Sequence, residues 1–371
     1  MLHVIDSLTS GGAQRQLATL LGALDRRDVT SSVAVYHRHD HFRPDVESTG
    51  ASVHDLGGRG GRDPRVVAHL ASLLKSTSYD LVHSWLLTPG VLARVAASLA
   101  GGPAVIVSER NVDLGASPAR MLLERALARR ARLMIVNADA IARNVEERLP
   151  VWRGRVRVVH NGFRWTAPSD DVLARAAGFR AEHASRGEFL LAVVGRVERQ
   201  KAPLVLLDAL ELLPDEALSR VRTVWVGRPI DRDLFAEVVE RAGSGRLADR
   251  FEMVPETRDV RSVYLGADAV VLPSRWEGFP NALLEALGNA RPVIATDVGD
   301  ADRLAIPGST GWLVPPEDAL SLAGAISQAL SAAPGALVEM GERGAALVRE
   351  SYSDRTLAER TLAVYEEALT G

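Results

Sequence analysis

The chain has 371 residues, 47% apolar and 25% charged, enough to build the cores of two domains and unlike a disordered or fibrous protein. It contains no cysteine, which excludes disulfides, thiolate metal sites and a thiol nucleophile. The net charge of −3 conceals an asymmetry: residues 1–165 carry a net +7 and residues 166–371 a net −10.

In chain order, short β-branched runs at 2–7, 31–37, 51–56, 80–85, 104–108, 131–137 and 155–160 read as strands. Helical patterns near 12–24, 64–76, 89–100, 117–130 and 138–149 alternate with them. That alternation argues for a parallel sheet with helices on both faces. The pattern stops at 163–187, a stretch mixing Pro, Gly and charges that reads as a connection with a short helix inside. A second series follows, with strands at 189–195, 222–227, 250–254, 269–273, 292–296 and 312–314. The tail from Ser353 to Leu369 reads as an amphipathic helix. The expected architecture is α/β: two doubly wound Rossmann-like domains facing across a cleft. They comprise residues 1–165 with the tail 353–371, and residues 188–350. Ligands of such sheets bind outside the carboxyl ends of the strands.

No run approaches the roughly 20 apolar residues that span a bilayer. The opening MLHVIDSLTSGG has neither the basic nor the apolar region of a signal peptide, so cytoplasmic residence is expected. The basic first half suits the inner, anionic membrane surface, at about 1 kcal/mol per well-placed Lys or Arg. Its densest run is Glu124 to Arg132, for which a solvated helix face is the alternative. No aromatics interleave with these charges, so no nucleic acid is expected. The nine histidines include no H-E-x-x-H pair, and no metal site is expected. The D-x-D matches at Asp231–Asp233 and Asp300–Asp302 are short enough to arise by chance.

The most informative stretch runs from Arg275 through Trp276, Glu277, Gly278, Phe279, Pro280 and Asn281 to Glu285 and Leu287. It follows an apolar strand, and Pro280 suits a first helical position, where no N–H is needed. Glu277 then lies in the strand-to-helix turn, with the Gly278 and Phe279 amides directed at whatever binds there. Glu285 sits among Leu283, Leu284, Ala286 and Leu287, and an ionised carboxylate on that face needs donors to offset its desolvation. Vicinal ribose hydroxyls supply two; a neighbouring strand or arginine is the structural alternative. A second strand ends in Gly195-Arg196, with Lys201 five residues on and Pro203 opening the next helix. Two cations at a strand's carboxyl edge suit a diphosphate, Arg as a bidentate donor and Lys as a point charge.

EGFPNALLEAL, an E-x7-E pattern, with GRVERQK upstream, resembles the retaining glycosyltransferases of family four, which have the GT-B fold. Ser10-Gly11-Gly12, VHS at 82–84, HNG at 160–162 and TDVGD at 296–300 extend the resemblance along the chain. The resemblance implies that Gly195, Arg196 and Lys201 hold the donor diphosphate. It implies that Glu277, with Gly278, Phe279, Pro280 and Asn281, holds the transferred sugar, and that Glu285 holds the ribose. Gly12 would let backbone amides approach phosphates and acceptor, with Gly11, Trp85 and Asn161 on the acceptor side. Many relatives have a second histidine two residues beyond the position of His83; here the motif reads His83-Ser84-Trp85. Residues 83 and 85 share one face of a strand. His83 is a catalytic candidate, Trp85 a stacking wall, and a satisfied core histidine is equally compatible.

The resemblance implies metal-independent, cofactor-free transfer of a hexose-type sugar from a nucleotide diphosphate sugar, UDP foremost, with retention of configuration. The acceptor would be a glycan, a lipid-linked precursor or a small molecule, met by loops near 8–15, 57–63 and 109–117. A nucleotide-sugar epimerase of the same fold and a non-catalytic nucleotide-sugar-binding partner are the rival readings. The sequence carries no signal for oligomeric state.

Overall fold

The computed structural model describes residues 1–25, 27, 29–110 and 117–370; part of the expected 109–117 acceptor loop lies outside them. The chain divides into two compact units, one of residues 1–164 with 352–371, the other of residues 165–351.

The first unit holds a seven-stranded sheet of β1 (Leu2–Val4), β2 (Ser32–Val35), β3 (Ser52–Asp55), β4 (Leu81–Trp85), β5 (Ala104–Glu109), β6 (Leu133–Val136) and β7 (Val156–Val158). Its order is β3-β2-β1-β4-β5-β6-β7, with every pairing parallel. The second unit holds β8 (Phe189–Val194), β9 (Val221–Val226), β10 (Phe251–Val254), β11 (Ala269–Leu272), β12 (Val293–Thr296) and β13 (Gly311–Val314). Their order is β10-β9-β8-β11-β12-β13, again all parallel. Strands such as LVHSW and AVVL are buried along their whole length, because helices cover both faces and leave no solvated side for polar alternation. Strand order reverses between β1 and β4 in one sheet and between β8 and β11 in the other. Doubly wound sheets offer their ligand crevice at such reversals.

The core of the first unit joins Leu17, Leu20, Leu21 and Leu24 of the helix Gly12–Asp25 to Leu357, Ala358, Val364 and Tyr365 of the tail helix Asp354–Thr370. Gly162 shows why the tail fits. A Cβ there would stand 2.8 Å from Leu357 Cβ and 3.0 Å from the Ser353 carbonyl. Gln16 locks the same peptide, accepting from the Gly162 N–H at 2.9 Å and donating to its carbonyl at 3.0 Å. The core of the second unit gathers Leu191, Val193, Leu206, Leu210, Trp225, Val271, Ile294 and Ile326.

Each expected strand is present, most of them one to three residues shorter, because apolar runs continue past the last ladder hydrogen bond. The segment read as a connection differs more. It contains a 14-residue helix, Asp170–His183, capped by Ser169, and residues 165–187 belong to the second unit. A Cβ on Gly266 would come within 2.9 Å of the Ala176 carbonyl, so this helix packs closely on Val260–Gly266. The five-residue helix Arg43–Glu47 was not expected; it is too short to show a periodic pattern. Among the described residues no single helix is long and apolar enough to cross a membrane.

Candidate functional site

In the second unit the loops after β8 and β11 meet at the reversal of strand order. The turn after β8 is held by Gly195, whose N–H bonds Val226 O at 3.1 Å and whose carbonyl accepts from Trp225 Nε1 at 2.8 Å. Gly227 must lack a side chain, because a Cβ there would stand 1.9 Å from that carbonyl. The chain then makes a short 3-10 turn, Arg199–Lys201, and Ala202 at φ +47° redirects it into the helix Pro203–Glu211.

The two loops are laced together by Gln200. Its carbonyl accepts from the Arg275 N–H at 2.8 Å, and its Nε2 donates to Trp276 O at 2.9 Å and to Glu277 Oε2 at 3.4 Å. Lys201 Nζ reaches Glu277 Oε1 at 2.5 Å, and Ser274 Oγ donates to the same oxygen at 2.7 Å. Glu277 is buried, at 8% exposure, so these three donors offset the loss of its hydration. A third loop supports the turn from behind. Asp300 N–H donates to Gly278 O at 3.0 Å, and Gly299 sits at φ +61° with its missing Cβ 2.2 Å from that oxygen and 2.5 Å from Glu277 O. Thr296 Oγ1 ties down Ser274 O at 2.6 Å.

Pro280 does not occupy the first helical position. It is the residue before the helix Asn281–Gly288, because the turn needs one more extended residue before the ladder begins. Phe279 is buried and Asn281 half-buried. Glu285 lies on that helix at 8% exposure and accepts from Tyr264 Oη at 3.0 Å. One of its partners is thus a phenol on the helix Val260–Gly266. Arg196 lies outside the Lys201–Glu277 cluster: half-exposed, it pairs with Glu198 at 2.8 Å.

In the first unit the residues named from sequence fall into a buried polar network. His83 is 1% exposed; its Nδ1 lies 2.7 Å from Tyr365 Oη and its Nε2 2.7 Å from Ser108 Oγ. Burial pushes its pKa well below the usual histidine value, with His3 and Arg110 adding to the effect. Trp85, also 1% exposed, donates from Nε1 to His3 Nδ1 at 3.1 Å, and the Arg110 guanidinium lies 4.7 Å from its ring centre. Arg110 also donates to the buried Asn161 Oδ1. The structure therefore gives His83 the surroundings of a satisfied core histidine, and neither it nor Trp85 presents an open face to a sugar. Gly11 and Gly12 lie where β1 hands over to the helix Gly12–Asp25, with Gly12 exposed. A Cβ on Gly11 would meet Gln14 Oε1 at 2.4 Å.

Sequence reasoning did not single out Ser274, Gln200, Tyr264 or Arg110. Ser274 and Gln200 each adjoin or lie within a quoted motif, so proximity was the available signal. Tyr264 acts from elsewhere in the chain and carried none, whereas Arg110 stands at the start of the expected 109–117 loop without having been named.

A family model described as Glycosyltransferase Family 4 matches residues 10–164, and one described as Glycosyl transferases group 1 matches residues 188–332. The chain is 31% identical over 308 residues to the D-inositol 3-phosphate glycosyltransferase of Nocardia farcinica, covering 78% of this chain and 67% of that protein. It is 32% identical over 289 residues to the enzyme of that name from Mycolicibacterium vanbaalenii, covering 70% of this chain and 61% of the relative. Against the relative from Corynebacterium urealyticum the match covers 64% of the relative's length, so the chain spans somewhat under two thirds of several of these proteins. Among solved structures, Anabaena Alr3699/HepE in complex with UDP and glucose superimposes with a TM-score of 0.85 at 20% identity, over 98% of both chains. That likeness identifies the GT-B fold, and the sequence matches place the chain in glycosyltransferase family four.

Proposed function

We propose that the chain is a retaining, metal-independent glycosyltransferase. It would move a hexose-type sugar from a UDP-sugar to a glycan, lipid-linked or small-molecule acceptor. The observation that carries this reading is the contact of Lys201 with Glu277 at the β8/β11 reversal. A cation and an acid from separate loops are held there by Ser274 and Gln200, where doubly wound sheets receive nucleotides. The relatives' transferase names and the UDP and glucose in the Anabaena complex support the donor class.

In this reading Lys201 and the half-exposed Arg196 face the donor diphosphate. Glu277, with the Gly278 and Phe279 amides, takes the hydroxyls of the transferred sugar. Glu285 takes the ribose, with Tyr264 fixing one carboxylate oxygen. The bond from the anomeric carbon to the diphosphate oxygen breaks, and the acceptor hydroxyl bonds the anomeric carbon on the same face. Its proton passes to the departing diphosphate. Catalysis rests on stabilising the charge that grows on that leaving group, which the cations do more strongly in the transition state than in the bound donor. His83, enclosed in its network, orients the first unit's interior and carries no chemical step.

The test is incubation of purified protein with a panel of UDP-sugars and candidate acceptors in excess chelator, read by mass spectrometry and by NMR of the anomeric centre. Transfer or slow donor hydrolysis with retained configuration is the expected result. Donor sugar isomerised without acceptor would instead identify an epimerase, and donor binding without turnover a binding protein. A requirement for divalent metal would overturn the metal-independent part.

A further inference from the structure

The second unit opens a cavity of about 550 Å³ at the foot of its sheet, where the strands begin. Of the residues that line it, Phe189 is the first of β8, Asp268 precedes β11 and Pro292 precedes β12. Nucleotides of doubly wound sheets bind at the opposite, carboxyl ends, so this cavity is separate from the site around Glu277. Its walls combine two chemistries. Phe189, Leu265 and Leu337 are only half-buried, and Val338 is 56% exposed. Alongside them, three arginines, Arg180, Arg220 and Arg291, meet two acids, Glu188 and Asp268. Both acids are already committed. Asp268 accepts from Arg180 at 2.9 Å and from the Leu190 N–H at 2.8 Å. Glu188 accepts from Arg250 at 2.7 Å and from the Ser185 N–H at 2.7 Å. Among the described residues the other two arginines hydrogen-bond only to main-chain carbonyls. Arg220 donates to Leu330 O at 3.4 Å, and Arg291 to Leu265 O at 2.7 Å, Tyr264 O at 3.1 Å and Ala290 O at 3.4 Å. Burial lowers the Arg291 pKa; the attraction of Asp268 offsets only part of this, and Arg180 adds repulsion.

An anionic head would supply the charge that these two guanidinium groups lack, in the two-pronged form they prefer. An apolar body attached to it would cover the half-exposed phenylalanine, leucines and valine. We propose that the cavity binds a small organic acid, an anionic head on an aromatic or aliphatic body, and that its occupancy regulates donor binding. Arg291 is the link. Its main-chain N–H donates to Ala286 O at 2.9 Å, within the helix Asn281–Gly288 that carries Glu285. Its side chain holds the last turn of the helix Val260–Gly266, from which Tyr264 Oη donates to Glu285 at 3.0 Å. An anion that draws the guanidinium into the cavity takes donors from the Tyr264 and Leu265 carbonyls, and the phenol shifts away from Glu285. This coupling rests on Glu285 taking the donor ribose; the ligand class of the cavity does not.

The experiment is titration calorimetry of the full chain with 2-naphthoate and with its neutral amide, each with and without UDP. Two variants accompany it, Arg220→Glu and Val338→Glu. Both positions are exposed, so neither change should alter the melting temperature or the affinity for UDP alone. Wild-type protein is expected to bind the acid about tenfold more tightly than the amide, and each variant to lose about tenfold on the acid. Saturating naphthoate should weaken UDP binding by about fivefold and then level off, with UDP weakening naphthoate by the same factor. Equal affinity for acid and amide, or acid binding unchanged in both variants, would overturn the proposal. Competition with UDP that never levels off would place the acid in the nucleotide site and overturn it too. Naphthoate binding with unaltered UDP affinity would overturn the regulation. A chain that binds naphthoate but no UDP would fell the donor reading and the coupling together and leave the ligand class of the cavity standing.

Discussion

Lys201 Nζ lies 2.5 Å from Glu277 Oε1, although the residues are 76 positions apart in sequence. The contact spans two loops that follow neighbouring strands, and its remaining donors, Ser274 and Gln200, come from the same loops. The lysine holds the glutamate in place. A diphosphate and a sugar would divide the pair's hydrogen bonds between them.

Lys201→Ala should therefore separate catalysis from folding. Removing the lysine leaves Glu277 with two neutral donors, so the fold should survive with a melting temperature a few degrees lower. Turnover should fall by about 10²–10³, the usual cost of removing one stabiliser of developing charge. Arg196→Ala, at an exposed position, should lose comparable turnover with no change in melting. Near-normal transfer by either variant would remove that residue from the diphosphate site.

Glu285 and Tyr264 make a graded pair. Glu285→Ala should weaken UDP binding by roughly tenfold or more, consistent with the loss of a charged hydrogen-bonding partner. Tyr264→Phe, which removes only the donor to Oε2, should weaken it by a few-fold. Titration calorimetry with UDP reads both. Equal affinity for wild-type and Glu285→Ala protein would detach this carboxylate from the nucleotide.

Gly299→Ala tests the support behind the turn. The new methyl group would meet Gly278 O at 2.2 Å at a positive φ, so the turn must move. A loss of about 1–3 kcal/mol is expected from the overpacking, together with weakened donor binding because Glu277 rides on the displaced backbone. Chemical denaturation and UDP titration on one preparation measure both effects. A stable variant with full affinity would mean that the 296–300 loop does not position Glu277.

Acid should loosen the first unit before it affects carboxylates. Burial pushes the His3 pKa down to about 3 and lowers that of His83 strongly as well, so both are neutral in the folded chain. The unfolded chain takes up protons near pH 6.5. The stability these burials allow is full above about pH 6.5 and erodes as pH falls towards 3, at up to about 1.4 kcal/mol per pH unit for each histidine. Calorimetry between pH 7.5 and 5 should show a transition that moves down with acid. An invariant transition over that range would contradict the assignment of both rings as buried and neutral.

The sheets were legible because their strands are apolar on both faces, so LLAVV and AVVL announce themselves without neighbours. Glu277 and Lys201 were legible as site residues from position and charge, and the structure adds that they touch. Their supports were not legible: Tyr264 meets Glu285 from another helix, and no spacing rule links positions 21 apart across a bend. The histidine at 83 shows a different limit. Its surroundings are supplied by Tyr365, 282 residues away, so whether the ring is open or enclosed depends on where the tail folds. The connection read at 163–187 holds a longer helix than the short one expected, since its Pro and Gly lie outside or within a capped Ala-rich helix that tolerates them.

The returning tail has a consequence for synthesis. The core around Leu17, Leu20 and His83 stays incomplete until residues 352–371 leave the ribosome, whereas the contiguous 165–351 unit has all its parts earlier. The half translated first should thus be the half that closes last, and a chain arrested before position 352 would expose the groove that Leu357 and Tyr365 normally fill to chaperones and proteases.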